Sequence, residues 1–132
     1  MKSRDSERGA VAVEFALLLP VLLLLVLGIM EFGRAYNVQI SASNAAREGA
    51  RYVAVNYSQT GYSDAKAAGV ALAAGPSLPA GTTATVSFST GKVCAAGVTV
   101  TVKVMNQLKW MTGYLPFAAP KVTGIGVMQC GG

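Results

Sequence analysis

The sequence predicts an α+β protein. A long N-terminal helix, apolar enough to cross a membrane, leads into a small C-terminal domain of one short helix and an antiparallel β-sheet. Three observations carry this prediction. An apolar run of 21 residues extends from Ala10 to Met30. A stripe of small residues then continues at three- and four-residue spacing to Val53, as on one face of a helix. Beyond Thr83 the apolar residues recur at every second position, which is typical of strands.

The apolar run has the length of a membrane span. As a helix it would extend roughly 31 Å, which matches a hydrocarbon core of about 30 Å. Lys2, Arg4 and Arg8 precede the run, and only Arg34 closely follows it. This asymmetry predicts a cytoplasmic N-terminus and an external C-terminal part. An ordinary cleaved signal peptide is disfavoured, because the run is longer than usual and no small-x-small site follows it. An uncleaved signal anchor remains open.

Glu14 is the only charged residue in this run. A carboxylate inside a membrane segment costs on the order of 2.5–3.5 kcal/mol at the centre of a helix, and less near its end. A cut after Gly9 would give Ala10 a free α-amino group, which is normally positive at neutral pH. In a helical array, Glu14 of one subunit would then pair with this amine on its neighbour, so that each neutralises the other. The alternative is a tolerated charge near a membrane end.

Two sequence motifs resemble those of the TadE-like family, pilin-like proteins of the Tad (Flp) type IVb pilus machinery, and they occur in the same order as in that family. The resemblance covers roughly residues 8–52 and rests on Arg8-Gly9-Ala10-Val11-Ala12-Val13-Glu14-Phe15-Ala16-Leu17-Leu18-Leu19-Pro20 and on Asn44-Ala45-Ala46-Arg47-Glu48-Gly49-Ala50-Arg51. It divides the chain into a prepilin-type leader (1–9), a membrane helix with its continuation (10–55) and a small periplasmic or extracellular head (56–132).

The resemblance implies a minor pilin or pilin-like assembly component, involved in pilus biogenesis and surface adhesion. A prepilin peptidase would cut after Gly9, and Glu14 would guide assembly. The implied partners are the bacterial inner membrane, the peptidase, other pilins and Tad assembly proteins. The chain differs from typical type IV pilins in having Ala10, not Phe, after the cut. Its long C-terminal region also differs from the very short major Flp pilin.

Residues 31–55 are predicted to continue the helix, because they contain no Pro and carry the small-residue stripe. The stripe should pack against another helix or against the chain's own domain, and it comprises Val38, Ala42, Ala45, Ala46, Gly49 and Val53. Arg47, Glu48 and Arg51 lie mainly off it. They form either a solvated face or a contact with a neighbouring pilin.

The C-terminal region is predicted to form one helix and three strands. Ser63 is a suitable N-cap for a short helix that ends before Gly75-Pro76. Alternating residues around Val86 and around Val102 predict two strands of an antiparallel hairpin, followed by an irregular or partly helical connection. A third strand, weakened by Gly124 and Gly126, follows at 122–128.

The two cysteines, Cys94 and Cys130, are predicted to form a disulfide if this region is exported. The alternative is two buried thiols. The chain has no histidine, so a usual zinc site is not expected.

The composition favours a protein that assembles with other proteins over one that catalyses a reaction. Without histidine, a Gly-rich phosphate loop or paired carboxylates in the head, the sequence predicts no enzyme, no cofactor and no small-molecule substrate. Most of the net charge of +5 comes from five scattered lysines after Tyr52, which face a single acid, Asp64, and this is not the pattern of a nucleic-acid interface. The alternative function is an unprocessed, single-pass anchored protein whose periplasmic head binds another protein.

Overall fold

A computed structural model describes residues 3–91, 93–113 and 117–131. Its elements are α1 (Ser3–Asn56), α2 (Asp64–Ala73), β1 (Thr83–Phe88), β2 (Thr99–Gln107) and β3 (Lys121–Gln129). The α+β prediction is therefore confirmed. The chain divides into two compact units, one ending at Gly33 and the other beginning at Arg34.

The first unit contains the apolar part of α1, which continues as helix through Pro20. Except for Leu27, which is partly buried, its large side chains from Val11 to Met30 are exposed all round the helix, with exposed fractions of 42% or more. The helix is long and apolar enough to cross a membrane. A helix that is hydrophobic on every side needs lipid or similar helices around it, because water would leave all of this surface unburied.

The second unit is built on a three-stranded antiparallel sheet in the order β1-β2-β3. One face carries the even-numbered residues of all three strands, and its centre is formed by Val100, Val102 and Val104, each 0% exposed. The odd-numbered residues form the opposite, open face. Helix α2 packs on β1 and β2, and residues 34–56 of α1 supply the other helical part of the core.

The small-residue stripe on α1 is buried as predicted. Val38, Ala42, Ala45, Ala46 and Val53 are at most 3% exposed, and Gly49 is also buried. A Cβ added at Gly49 would lie 2.7 Å from the Cβ of Ala71 and 3.0 Å from Cγ1 of Val102. The stripe thus packs against the chain's own domain, where small side chains let helix and sheet approach closely.

Two glycines allow β3 to lie directly against the backbone of α1. A Cβ at Gly124 would overlap the carbonyl oxygen of Ala42, and a Cβ at Gly126 would overlap that of Ala46. Glycine in a strand lowers its intrinsic stability and marks close approach of another backbone. The predicted third strand is confirmed, and the structure gives the reason for its glycines.

The remaining elements agree closely with their predictions. The side chain of Ser63 caps α2 by accepting a hydrogen bond from the backbone N–H of Lys66 at 3.1 Å. Between β2 and β3 the described residues are irregular and contain no helix. This connection is held by Trp110, whose Nε1 donates to the carbonyl of Phe117 at 2.6 Å. The guanidinium of Arg34 also donates to the carbonyl of Lys109 at 2.9 Å.

The predicted disulfide between Cys94 and Cys130 is present, with a Cα–Cα distance of 5.4 Å. It joins the connection between β1 and β2 to the end of β3. The two cysteines are 36 residues apart in sequence, and closing a loop of this length stabilises the folded state by roughly 3–4 kcal/mol in the chain-entropy model. The bond therefore reinforces the β3 side of a small core.

Replacing Gly126 with Ala should destabilise the head, because the new methyl group would meet the α1 backbone, which has no flexible side chain to move. Gly126→Ala is expected to lower the free energy of unfolding by about 1–3 kcal/mol or more. Gly69→Ala is the matched control, since a Cβ at this helical position meets no atom within 4 Å. It should stabilise by about 0.4–1 kcal/mol.

The measurement is chemical denaturation of the full chain in detergent micelles, followed by fluorescence of its single tryptophan, Trp110. Equal unfolding midpoints for Gly126→Ala and Gly69→Ala would show that β3 does not approach α1 as described.

Candidate assembly surface

The predicted processing and pairing residues lie on the apolar part of α1. Gly9, Ala10 and Glu14 are all exposed. A Cβ at Gly9 would meet nothing within 4 Å. Ala10 and Glu14 are four residues apart in one helix, so they lie on the same face about 6 Å apart along its axis. This arrangement presents both residues to the surroundings of the helix.

Glu14 is not neutralised within the described part of the chain, where no hydrogen bond or ion pair is found for it. Its neighbours along the helix, Val13 and Phe15, are apolar and more than 60% exposed. A carboxylate in such a position in lipid has to reach the interface or meet a positive group from another molecule. The geometry therefore leaves room for an intermolecular partner.

The second predicted group, Arg47, Glu48 and Arg51, lies on the exposed face of α1 in the second unit. Nη1 of Arg51 is 3.6 Å from Oε2 of Glu48, and their side chains are 67% and 47% exposed. An exposed pair of this kind contributes about 0.2–1 kcal/mol. The head thus gains little from these charges, although they stand on the same helix as its buried stripe.

The exposed face is broader than the three predicted residues. It also includes polar Asn37 and Asn44 and two apolar side chains, Ile40 and Val55, which are 44% and 64% exposed. The face is therefore mixed, with two guanidinium groups against one carboxylate. Such a surface suits a contact with an acidic or polar protein surface better than insertion into lipid.

Sequence reasoning did not identify a cluster of aromatic rings beside the connection between α1 and α2. The rings of Tyr57 and Tyr62 are 4.8 Å apart, and that of Tyr57 is 5.7 Å from Phe88 on β1. Tyr62 donates to Oδ1 of Asp64 at 2.7 Å. Burial raises the pKa of Tyr62, and the bond to Asp64 raises this pKa further. Tyr62 stays protonated, and the cluster fixes the connection between α1 and α2.

Among the described residues, no group of three or more His, Cys, Asp or Glu side chains is placed to hold a metal ion.

Residues 9–51 match the family model described as TadE-like protein. This part of the chain is a TadE-like region. Its match associates the chain with the Tad pilus. No curated protein and no solved structure matches the chain. The TadE-like region begins at Gly9 and ends at Arg51, so it contains every exposed residue of the two candidate groups. It covers about a third of the 132 residues, and α2 and the whole sheet lie beyond it.

The charges at the end of the TadE-like region should be dispensable for folding. The double variant Arg47→Ala, Arg51→Ala is expected to change the free energy of unfolding by no more than about 0.5 kcal/mol per residue, because both side chains are exposed. Ala46→Leu, on the buried stripe of the same helix, should cost about 1–3 kcal/mol by overpacking. The free energies of unfolding of the double arginine variant and of Ala46→Leu are compared by chemical denaturation of the full chain in micelles. A large loss in the arginine variant would mean that these charges serve the fold instead of a contact.

Proposed function

We propose that this protein is a minor pilin or pilin-like assembly component of a Tad-type IVb pilus, with its head in the periplasm and its anchor in the bacterial inner membrane. In this role it acts in pilus biogenesis and hence in surface adhesion. The proposal rests chiefly on the TadE-like region of residues 9–51. It is supported by exposed charged residues in that region that the described fold does not use.

Processing by a prepilin peptidase after Gly9 is part of this proposal. Gly9 is exposed and has open space where a side chain would be. The bond to be cut lies within α1, which begins at Ser3. A peptidase needs the local backbone to leave the helix, and glycine lowers that cost because it is a poor helix former by about 1 kcal/mol relative to alanine. A small residue before the cut therefore serves both access and local unwinding.

Pairing of Glu14 with the Ala10 amine of a neighbour would fix the position of each added subunit along the helix axis. Both residues face the same side of the helix, one turn apart. A neighbouring helix displaced along its axis by about 6 Å brings its residue 10 to the level of residue 14. The negative carboxylate and the positive amine then remove each other's cost in lipid. Repetition of one displacement would give each added subunit the same register.

Arg47, Glu48 and Arg51 are proposed as contacts with neighbouring pilins or Tad assembly proteins. Opposite them on the helix is the stripe that anchors the head's own core, so these side chains point away from the head. A carboxylate from a partner would meet two guanidinium groups one turn apart, each able to bind it through paired hydrogen bonds.

The mature N-terminus is the decisive measurement. We expect intact mass and terminal sequencing of the protein from native membrane and filament fractions to show a start at Ala10. A start at Met1, or at Lys2 after loss of the initiator, would contradict processing and favour the unprocessed anchored protein with a protein-binding head. A start beyond Gly28 would indicate ordinary secretion.

Glu14→Ala should block incorporation into filaments while leaving the protein in the membrane. Loss of the carboxylate leaves the neighbour's amine unpaired in an apolar interface, which costs up to about 2.5 kcal/mol near the end of the helix and corresponds to a decrease of up to roughly seventyfold in incorporation. Val13→Ala is the matched control at a neighbouring exposed position. Immunoblots of sheared filaments and of washed membranes give both readouts. Normal filament levels of Glu14→Ala would remove the pairing role.

A further inference from the structure

Among the described residues, β3 is an edge strand, with β2 on one side and no strand on the other. It is nine residues long and belongs to the head, beyond the TadE-like region. Edge strands of soluble domains are usually shortened, bulged or covered, because their free backbone groups pair readily with another chain. Whether the outward-facing backbone N–H and C=O groups of β3 are already hydrogen-bonded therefore decides whether another chain can pair with this edge.

The hydrogen bonds at the two ends of β3 show which of its backbone groups face outward. The N–H of Cys130 donates to the carbonyl of Val98 at 2.8 Å, and the N–H of Leu108 donates to that of Pro120 at 3.2 Å. In an antiparallel ladder such pairs recur at every second residue. Even-numbered residues of β3 thus bond to β2. Thr123, Ile125 and Val127 direct their N–H and C=O groups toward the free edge.

Only the first part of this edge is covered. Nε2 of Gln39, on α1, donates to the carbonyl of Thr123 at 2.9 Å. In the described part of the chain no comparable bond is found for the edge-facing groups of Ile125 or Val127. Their side chains lie on the open face of the sheet and are 55% and 58% exposed. The backbone N–H and C=O groups of Ile125 and Val127 are therefore available to pair with another strand. The side chains of the same two residues add an exposed apolar surface beside them.

The charge around this edge is positive. Lys121 is the first residue of β3, and Lys103 is the partner of Ile125 on β2, so both lie on the open face with Ile125 and Val127. Both lysines are exposed. The sequence from residue 65 to residue 132 contains five lysines and no Asp or Glu. A second copy of the head would thus bring no carboxylate from its sheet to meet these lysines.

We propose that the free edge of β3 binds an extended segment of a different, acidic protein by strand addition. The backbone of that segment pairs with Ile125 and Val127. Its apolar side chains lie beside theirs on the open face, and a carboxylate lies opposite Lys121. Main-chain bonds supply affinity in this mode of recognition, and alternate side chains supply specificity. This surface is separate from the contacts proposed for α1 and does not depend on processing at Gly9.

The test uses a synthetic peptide, N-acetylated and C-amidated, of sequence Thr-Val-Thr-Val-Thr-Thr-Thr-Glu-Thr. In antiparallel alignment its two valines lie opposite Val127 and Ile125, and its glutamate lies opposite Lys121. Amide hydrogen exchange of the full chain in micelles is followed by NMR. With free peptide at tenfold its dissociation constant, the amides of Ile125 and Val127 should exchange about tenfold more slowly. Those of Gly124 and Gly126, already bonded to β2, should not change.

Two further measurements separate the contribution of charge to peptide binding from that of backbone hydrogen bonds. Lys121→Glu should weaken binding of the glutamate peptide by about 1.4- to fivefold and favour a peptide with Lys in its place, since exposed pairs contribute 0.2–1 kcal/mol. Lys66→Glu, on α2, is the matched control and should change neither affinity. N-methylation of the peptide amides that face β3 should abolish protection.

Three results would overturn the proposal. The first is absence of protection with every peptide. The second is equal binding of the glutamate and lysine peptides to the unaltered protein. The third is protection of Ile125 and Val127 without peptide, rising with protein concentration, which would identify a second copy as the occupant.

Discussion

The other features of the head depend on one close contact: β3 lies directly on the backbone of α1. Gly124 and Gly126 have no space for a Cβ because the carbonyl oxygens of Ala42 and Ala46 occupy it. This contact requires small residues on both elements at once, alanines on the helix and glycines on the strand. It fixes β3 at the sheet edge beside Gln39 and places its odd-numbered residues on the open face. The disulfide at Cys130 then holds the end of the same strand.

The close contact also divides α1 into two faces with different roles. Residues that allow close packing, such as Ala46 and Gly49, are buried, so the charges between them in sequence must lie outside. Arg47, Glu48 and Arg51 are thus displayed by the same helical period that buries the stripe. A TadE-like region that ends at Arg51 includes both faces. The folding of the head and the display of a charged surface are therefore consequences of one short sequence pattern.

Much of the fold could be predicted from the sequence, because residues of one type recur at the regular spacing of a helix or a strand. The stripe on α1, the alternation around Val102 and the N-cap at Ser63 each specify local structure directly, and Cys94 and Cys130 were the only possible pair. The close approach at Gly124 and Gly126 was not predictable, since one sequence shows that a strand is weak but not what lies against it. The same holds for the Tyr57, Tyr62 and Phe88 cluster and for the bond from Gln39 to Thr123, which join residues far apart in the chain or in different elements. Glu14 was identifiable from sequence because a single charge in an apolar run is costly wherever it folds.

Two of the three proposed binding surfaces, Glu14 and the β3 edge, use different physics, and this difference constrains how they would act together. Glu14 would act in an apolar environment, where an unpaired charge is costly and a paired one is strongly held in register. The β3 edge would act in water, where backbone pairing and two apolar side chains give moderate affinity and Lys121 mainly selects the sign of the partner. The first surface lies within the TadE-like region and the second lies outside it. The proposed filament contact and the proposed contact of the β3 edge would then reside on separate elements, so that a change in one need not disturb the other.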